Sequence, residues 1–375
     1  MKILFTGGGT GGHFYPIIAV AEEIKQVCSD QKIIPPELYF MSDKPYNERA
    51  LRDNNIKFVL IPAGKIRRYF SLMNFLDLFR TVYGVIRAIF VLFSIYPDVV
   101  FGKGGYASFP GLFAARLLKI PIVIHESDSH PGRVTLWASH FATRIAVSYP
   151  EAAKYFPAEK TAVVGNPIRR EILFPGKTGA HEFLDFDKKI PTIFVVGGSQ
   201  GSTKINETVL DILPQLLEKY QIIHQVGRAN YEEIKKRADF LTGDSSNKNR
   251  YKIFDYLNDI AMRMAAGAAN LVISRAGSAI FEIANWGIPA IIIPIPEEVS
   301  HDQRTNAFTY ARSGGAVVIE EKNLTPSILL SETKRILDDE KIQAEMKTGA
   351  AGFAKPEAGK TIAEEIIRLA LAHEE

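Results

Sequence analysis

The stretch ILFTGGGTGGH, Ile3 to His13, constrains this chain most, because its pattern recurs as IFVVGGSQGST from Ile193 to Thr203. Each copy is a short apolar run, then glycines, then the start of a helical pattern. An apolar run without alternation is what a strand buried on both faces requires. Glycines directly after it allow a tight turn. The helix that follows opens with unpaired backbone N–H groups at the positive end of its dipole. A chain that does this twice is expected to form two α/β domains, and its 375 residues exceed what one core ordinarily serves.

The remaining apolar runs fit two series. KILFT (2–6), ELYFM (37–41), KFVLI (57–61), DVVF (98–101), IVIH (122–125) and RIAVS (144–148) form the first. TIFVV (192–196), IIHQV (222–226), YKIF (251–254), NLVIS (270–274), AIIIP (290–294) and AVVIE (316–320) form the second. Helical patterns separate most of them, so both sheets are expected to be parallel. The glycine-, proline- and charge-rich stretch around GNPIRREILFPGKTG divides the series. It places an N-terminal domain at 1–164 and a C-terminal domain at 165–356. The amphipathic segment 357–375 has an apolar face for either half and is assigned to the first. The fold class is therefore α/β, two Rossmann-like parallel-sheet domains facing across a cleft.

Composition removes several function classes. A net charge of +3 is too small for bulk nucleic-acid binding. A single cysteine, Cys28, excludes an intrachain disulfide framework and fits a reducing compartment. The apolar run after Met1 is too short for a signal-peptide core, and no uncharged apolar run reaches about 18 residues, so no membrane span is expected.

Glycine loops between strand and helix suit anions, since the N–H groups point outward and a ligand comes close. Gly7, Gly9 and Gly12 satisfy G-x-G-x-x-G, which alone also fits a dinucleotide enzyme with Asp43 on the ribose. That alternative leaves the second loop and the glycines of 275–287 without work. A third loop, FGKGGYASFPG (101–111), repeats the arrangement. All three open at the carboxyl ends of strands, where open α/β sheets bind ligands. In LVISRAGSAIFEIANWGIPAIIIPIPEEVSHDQRTNA (271–307), Gly277 at a helix start admits a phosphate. Glu282, one turn on, accepts from vicinal hydroxyls, and Gln303 offers both donor and acceptor to a sugar.

The pieces GGGTGGH, GKGGYASFPG, HESDSHPGRVT, VGNPIRR, VVGGSQGSTKIN, RAGSAIFE and DQRTNA, in this order, resemble the MurG-type N-acetylglucosaminyltransferases of glycosyltransferase family 28, which have the GT-B fold. The resemblance implies transfer of N-acetylglucosamine from UDP-GlcNAc to the muramyl 4-hydroxyl of lipid I, forming lipid II for peptidoglycan. It implies an inverting, metal-independent displacement without a cofactor. It assigns Thr10, Gly11, Gly12, Asp128, Arg169, Ser199, Leu257, Ser278, Glu282 and Gln303 to the donor. Gly9, Gly104, Gly105 and Tyr106 fall in loops on the acceptor and diphosphate. Asp128 stands where the family usually has asparagine, and a carboxylate cannot donate as an amide does. Gly277 to Glu282 is one residue shorter than the family pattern, and HDQRTNA replaces DHQTxNA.

Lipid I is anchored in a bilayer, so a peripheral enzyme at the cytoplasmic face of the cell (inner) membrane is expected. Segment 65–93 carries five basic residues and one acid, with Leu72, Phe75, Phe79, Tyr83, Ile86 and Phe90 at helical spacing. Arg67, Arg68, Phe75 and Phe79 are expected at an anionic membrane surface. For the general base, His13 titrates in the right range and Glu126 follows a buried strand. A MurG-like diacylglycerol glycosyltransferase and a UDP-GlcNAc 2-epimerase are the other readings on this architecture. A nucleotide-sugar binding module is the non-enzyme reading.

Overall fold

The computed structural model describes residues 1–65, 72–243, 245–298 and 302–374, with 72–74 and 374 as backbone alone. The chain divides into two compact units, Met1–Arg169 with Lys355–Glu375, and Arg170–Ala354.

Unit one holds seven strands: β1 (Lys2–Thr6), β2 (Glu37–Ser42), β3 (Ile56–Leu60), β4 (Val99–Gly102), β5 (Ile122–Glu126), β6 (Arg144–Val147) and β7 (Thr161–Val163). All pairings are parallel, in the order β3-β2-β1-β4-β5-β6-β7. β1 lies inside the sheet, with Phe5 opposite Phe40 on one side and Phe101 on the other. β7 is the one strand absent from the sequence expectation. It is three residues long on the sheet edge, with Ala162 and Val163 exposed, so it leaves no apolar run to read. Helix α1 (Gly11–Asp30) follows the first glycine loop and buries Phe14, Ile17, Val20 and Ile24 against the sheet.

Unit two repeats the plan with β8 (Thr192–Val196), β9 (Gln221–Gln225), β10 (Tyr251–Phe254), β11 (Leu271–Ser274), β12 (Ala290–Ile292) and β13 (Ala316–Val318). Their order is β10-β9-β8-β11-β12-β13, again all parallel. Each sheet reverses its strand order once, between β1 and β4 and between β8 and β11. Those switch points are where connections diverge and leave a crevice.

Helix α2 (Leu72–Ile95) inverts the usual amphipathic rule. Its inward stripe is narrow and small: Gly84 and Ala88 are buried with Leu92, and a side chain at Gly84 would overlap the Pro62 carbonyl. Its large residues face outward, with Phe75 63%, Phe79 58%, Phe90 70% and Phe93 69% exposed. Among the described residues, α2 is long and apolar enough by length and composition to cross a membrane. The sequence expectation of no membrane span rested on uncharged runs, which Arg80 and Arg87 interrupt; the helix as a whole is nonetheless apolar. Arg67 and Arg68 lie outside the described residues.

Beyond α2 come helix α3 (Phe109–Leu117), α4 (Thr203–Asp211), α5 (Ala279–Trp286), α6 (Gln303–Arg312) and α7 (Ala358–Glu374). Although α7 follows unit two in sequence, Ile362, Ala363, Ile366 and Ala370 join the core that α1 and β1 build. Glu365 pairs with Arg144 at 2.7 Å on its rim.

A polar trio lies inside unit two. Buried His224 on β9 has Nε2 3.0 Å from Asn206 Oδ1 and Nδ1 2.9 Å from the Tyr251 hydroxyl. Burial pushes this imidazole down to about 3, whereas an unfolded histidine titrates near 6.5. The unfolded chain therefore binds more protons between those values, and stability is lost as pH falls through that window, by about 1.4 kcal/mol per pH unit at most. Urea midpoints should fall between pH 7 and pH 5 while the His224 imidazole resonances stay those of the neutral ring. A protonated His224 in the folded protein at pH 5 would contradict this.

Candidate functional site

In unit one, loops after β1, β4 and β5 converge at the switch point. Thr10 precedes α1 in extended conformation, φ −144°, and its carbonyl accepts from the N–H groups of His13 and Phe14 at 3.2 Å each. This turn folds the His13 ring back over its own loop. Nδ1 lies 3.1 Å from the Gly8 carbonyl and 3.2 Å from Thr10 Oγ1. A carbonyl only accepts, so Nδ1 carries the proton and Nε2 presents a lone pair. Gly105, at φ 77°, passes this ring closely: a side chain there would begin 3.1 Å from the Gly8 carbonyl and 3.4 Å from His13 Nδ1. Tyr106 donates its hydroxyl to Asp43 Oδ2 at 2.7 Å, and Ser42 donates to Oδ1 at 3.3 Å. Asp43 thus ties the loop after β2 to the loop after β4.

Glu126 ends β5 and is 6% exposed. Its Oε1 accepts from the Asp128 N–H at 3.2 Å and its Oε2 from the Gly132 N–H at 3.0 Å, so it anchors the loop after β5. Burial, then the neighbouring Asp128, raises its pKa, while Lys103 and the two N–H donors pull the other way. Burial, then the Lys103 ammonium, lowers that of His13, opposed by Asp128 and the Gly8 carbonyl. The imidazole is therefore held neutral at physiological pH.

Arg169 closes the first part of unit one. Its guanidinium lies over the Tyr15 ring of α1, 4.0 Å from the centroid, within cation–π range. Gly11, the first residue of α1, leaves room for Tyr46: a side chain there would begin 3.0 Å from its hydroxyl. Gly9, Thr10 and Gly104 border the same opening in sequence, and Gly12 follows in the first turn of α1.

In unit two, the loop Gly197–Gly201 runs from β8 into α4. Ser199 is exposed on it, and Ser202 caps α4 by accepting from the Ile205 N–H at 3.4 Å. Arg275 donates to Ser202 Oγ at 2.6 Å and to the carbonyls of Ile293 and Pro294 at 3.1 and 3.3 Å, and it pairs with Glu321. It thereby ties the ends of β11 and β12 to the start of α4. Ser278 precedes α5, and Glu282 stands half-buried in its first turn. Gln303 opens α6; its Oε1 accepts from the Ile295 N–H at 3.1 Å, and its Nε2 is turned toward Gly277. Buried Asn306 donates to the Ala276 carbonyl at 3.2 Å, which joins the DQRTNA and RAGS motifs directly. Leu257 is buried, and its N–H reaches Gln225 Oε1 at 3.4 Å.

The structure thus gathers His13, Glu126, Asp128, Gly105 and Tyr106 in unit one, and Ser199, Leu257, Ser278, Glu282 and Gln303 around the switch point of unit two. Three further polar residues hold these loops. Lys103 donates to Ser127 Oγ at 2.8 Å. Gln225 links the Gly198 carbonyl, 2.9 Å from its Nε2, to Leu257. Arg275 clamps α4. Among the described residues, no three of His, Cys, Asp and Glu gather with the spacing of metal ligands.

The glycosyltransferase family 28 N-terminal domain matches residues 3–147, and the family 28 C-terminal domain matches 192–362. A UDP-N-acetylglucosamine–N-acetylmuramyl-(pentapeptide) pyrophosphoryl-undecaprenol N-acetylglucosamine transferase of Bacillus cereus is 35% identical over 367 residues, 97% of this chain and 99% of its own. The crystal structure of Acinetobacter baumannii MurG is similar with a TM-score of 0.73 and 26% identity, over 98% of this chain and 100% of that one. A UDP-N-acetylglucosamine 2-epimerase reaches a TM-score of 0.70 at 16% identity, over 100% and 97% of the two chains. That last likeness is one of fold alone.

Gly201, at φ 75°, sets the shape of the loop before α4. A side chain there would overlap the Val226 carbonyl, and one at Gly227, at φ 88°, would overlap the Gln200 carbonyl. Gly201→Ala is expected to cost about 2–4 kcal/mol through strain and overlap together. A thermal midpoint within one degree of the parent would show that the loop relaxes freely.

Proposed function

Because the chain belongs to glycosyltransferase family 28, we propose that it transfers N-acetylglucosamine from UDP-GlcNAc to the undecaprenyl-diphosphate-linked muramyl-pentapeptide, lipid I, with inversion at the sugar carbon. The observation that carries this reading is the 35% identity, over 97% of the chain, to an enzyme named for that reaction. Both switch points hold glycine loops and helix N-termini suited to anionic ligands.

In this reading the donor occupies unit two. Glu282 accepts from the ribose hydroxyls, and the Leu257 backbone borders the uracil. Ser199, Ser278 and the starts of α4 and α5 meet the diphosphate, and the Nε2 of Gln303 meets a sugar hydroxyl. Negative charge grows on UDP as the bond from its oxygen to the sugar carbon breaks. Helix N-termini stabilise that charge without a metal. From unit one, Thr10, Gly11, Gly12, Asp128 and Arg169 are assigned to the sugar and diphosphate. Gly9, Gly104, Gly105 and Tyr106 are assigned to the acceptor side.

The acceptor hydroxyl attacks the sugar carbon and gives its proton to His13 Nε2. The neutral imidazole with Nδ1–H on the Gly8 carbonyl favours this assignment. Glu126, whose two oxygens each receive a backbone N–H, orders the loop after β5.

The outward aromatic face of α2, flanked by Arg80 and Arg87, is assigned to a lipid surface of anionic headgroups. A membrane-anchored acceptor brings the enzyme to such a surface. Aromatic side chains with neighbouring arginines suit the boundary between headgroups and acyl chains. This placement makes the enzyme peripheral at the cytoplasmic side of the membrane.

UDP should be released from UDP-GlcNAc only when lipid I is supplied. Release with diacylglycerol instead, or acceptor-free formation of the 2-epimer, overturns the reading. His13→Ala should lower turnover about 10²–10⁴-fold and leave UDP binding intact; a near-normal rate would move the base to Glu126. Phe79→Ser combined with Phe90→Ser should weaken binding to phosphatidylglycerol vesicles about tenfold or more. Turnover on a water-soluble lipid I analogue should stay close to that of the parent. Unchanged vesicle binding would free α2 from this role.

A further inference from the structure

Lys103 has no part in the chemistry above, yet it occupies an unusual place. It follows β4 in the glycine loop and is 1% exposed, although a lysine is almost never fully buried unless paired. Its backbone N–H donates to the Thr6 carbonyl at 2.9 Å. Its Cβ lies 3.1 Å from where a side chain on Gly7 would begin, so the residue is wedged against the first glycine loop. Its Nζ donates to Ser127 Oγ at 2.8 Å, on the residue between Glu126 and Asp128. The side chain thus crosses from the first loop to the loop after β5.

The charged and titratable groups facing it are Glu126 and Asp128, whose charges favour its protonated form, and His13 and His125, which feel its charge as repulsion. Burial outweighs the carboxylates and brings the ammonium down to about 8. His125 Nε2 donates to the Gly165 carbonyl at 2.9 Å, and burial, then the Lys103 charge, holds this imidazole well below its ordinary value.

We propose that Lys103 is a positioning residue: its ammonium, held on Ser127 and wedged against the first glycine loop, is the buried counter-charge of Glu126 and Asp128 and opposes a second positive charge on the neighbouring His13. The proposal deepens the assignment of His13 as base and rests on it for its effect on turnover. Without the ammonium, burial alone opposes the pull of the Asp128 carboxylate for a proton on His13. Glu126 also loses a charge that favours its ionised form.

The test is a ¹⁵N titration of the His13 imidazole in full-length parent, Lys103→Met, Asp128→Asn and the double variant, beside pH profiles of kcat/KM. Lys103→Met should raise the His13 midpoint by about one pH unit. Asp128→Asn should lower it, and the double variant should return toward the parent because the two charges act on one site. In Lys103→Met the acid limb of kcat/KM should move up with the midpoint, while KM for UDP-GlcNAc changes little. Lys103→Gln serves the same purpose if the methionine variant does not fold. A His13 midpoint that is the same with and without the ammonium overturns the proposal. A midpoint that moves while the acid limb stays supports Lys103 as the counter-charge and overturns His13 as the base.

Discussion

Where the strand order of a parallel sheet reverses, the two central strands send their connections to opposite faces, and the crevice between them is lined with backbone. In both units those strands end in glycine loops, β1 and β4 in the first and β8 and β11 in the second. Side chains at Gly105, Gly201 and Gly227 would crowd or overlap a neighbouring carbonyl. Close backbone packing leaves N–H groups and helix starts as the surface a ligand meets. It also explains why the remaining polar side chains come from loops that converge there rather than from the sheets.

The two crevices differ in electrostatic character. Unit two presents Ser199, Ser278 and helix N-termini, with its arginine, Arg275, turned inward onto Ser202 and Glu321. That is a fixed dipolar surface suited to an anion. Unit one instead concentrates ionisable groups: His13, Lys103 and Glu126, each shifted by burial and by neighbouring charges, beside the Asp128 carboxylate. A reaction that separates charge at the leaving group and moves a proton at the acceptor has use for both kinds of surface.

Much of this was legible in the sequence. Buried parallel strands are continuous apolar runs, so all but the exposed edge strand β7 announced themselves, and strand–glycine–helix joints marked the switch points. The inversion of α2 was less legible: helical spacing shows that apolar residues share a face, not that the face turns outward. Gly84 and Gly64 decide that, because each gives up its side-chain space to a backbone from the other segment. Lys103 and Gln225 were not legible, since each acquires its meaning from a loop distant in sequence, Ser127 and Leu257, that only strand order brings near. The departure at Asp128 stood out, whereas the cation that answers it did not.

The packing of α7 also bears on how the protein is made. Ile362, Ile366 and Ala370 complete a core begun by β1 and α1, so the first-synthesised unit waits for residues that leave the ribosome after all of unit two. Unit two is contiguous and can close as soon as it emerges. During elongation the apolar face of α1 that α7 later covers stays open, which makes nascent unit one a natural client for chaperones. Truncation before residue 358 would leave that client state permanent, even though every loop of both crevices would be present in the chain.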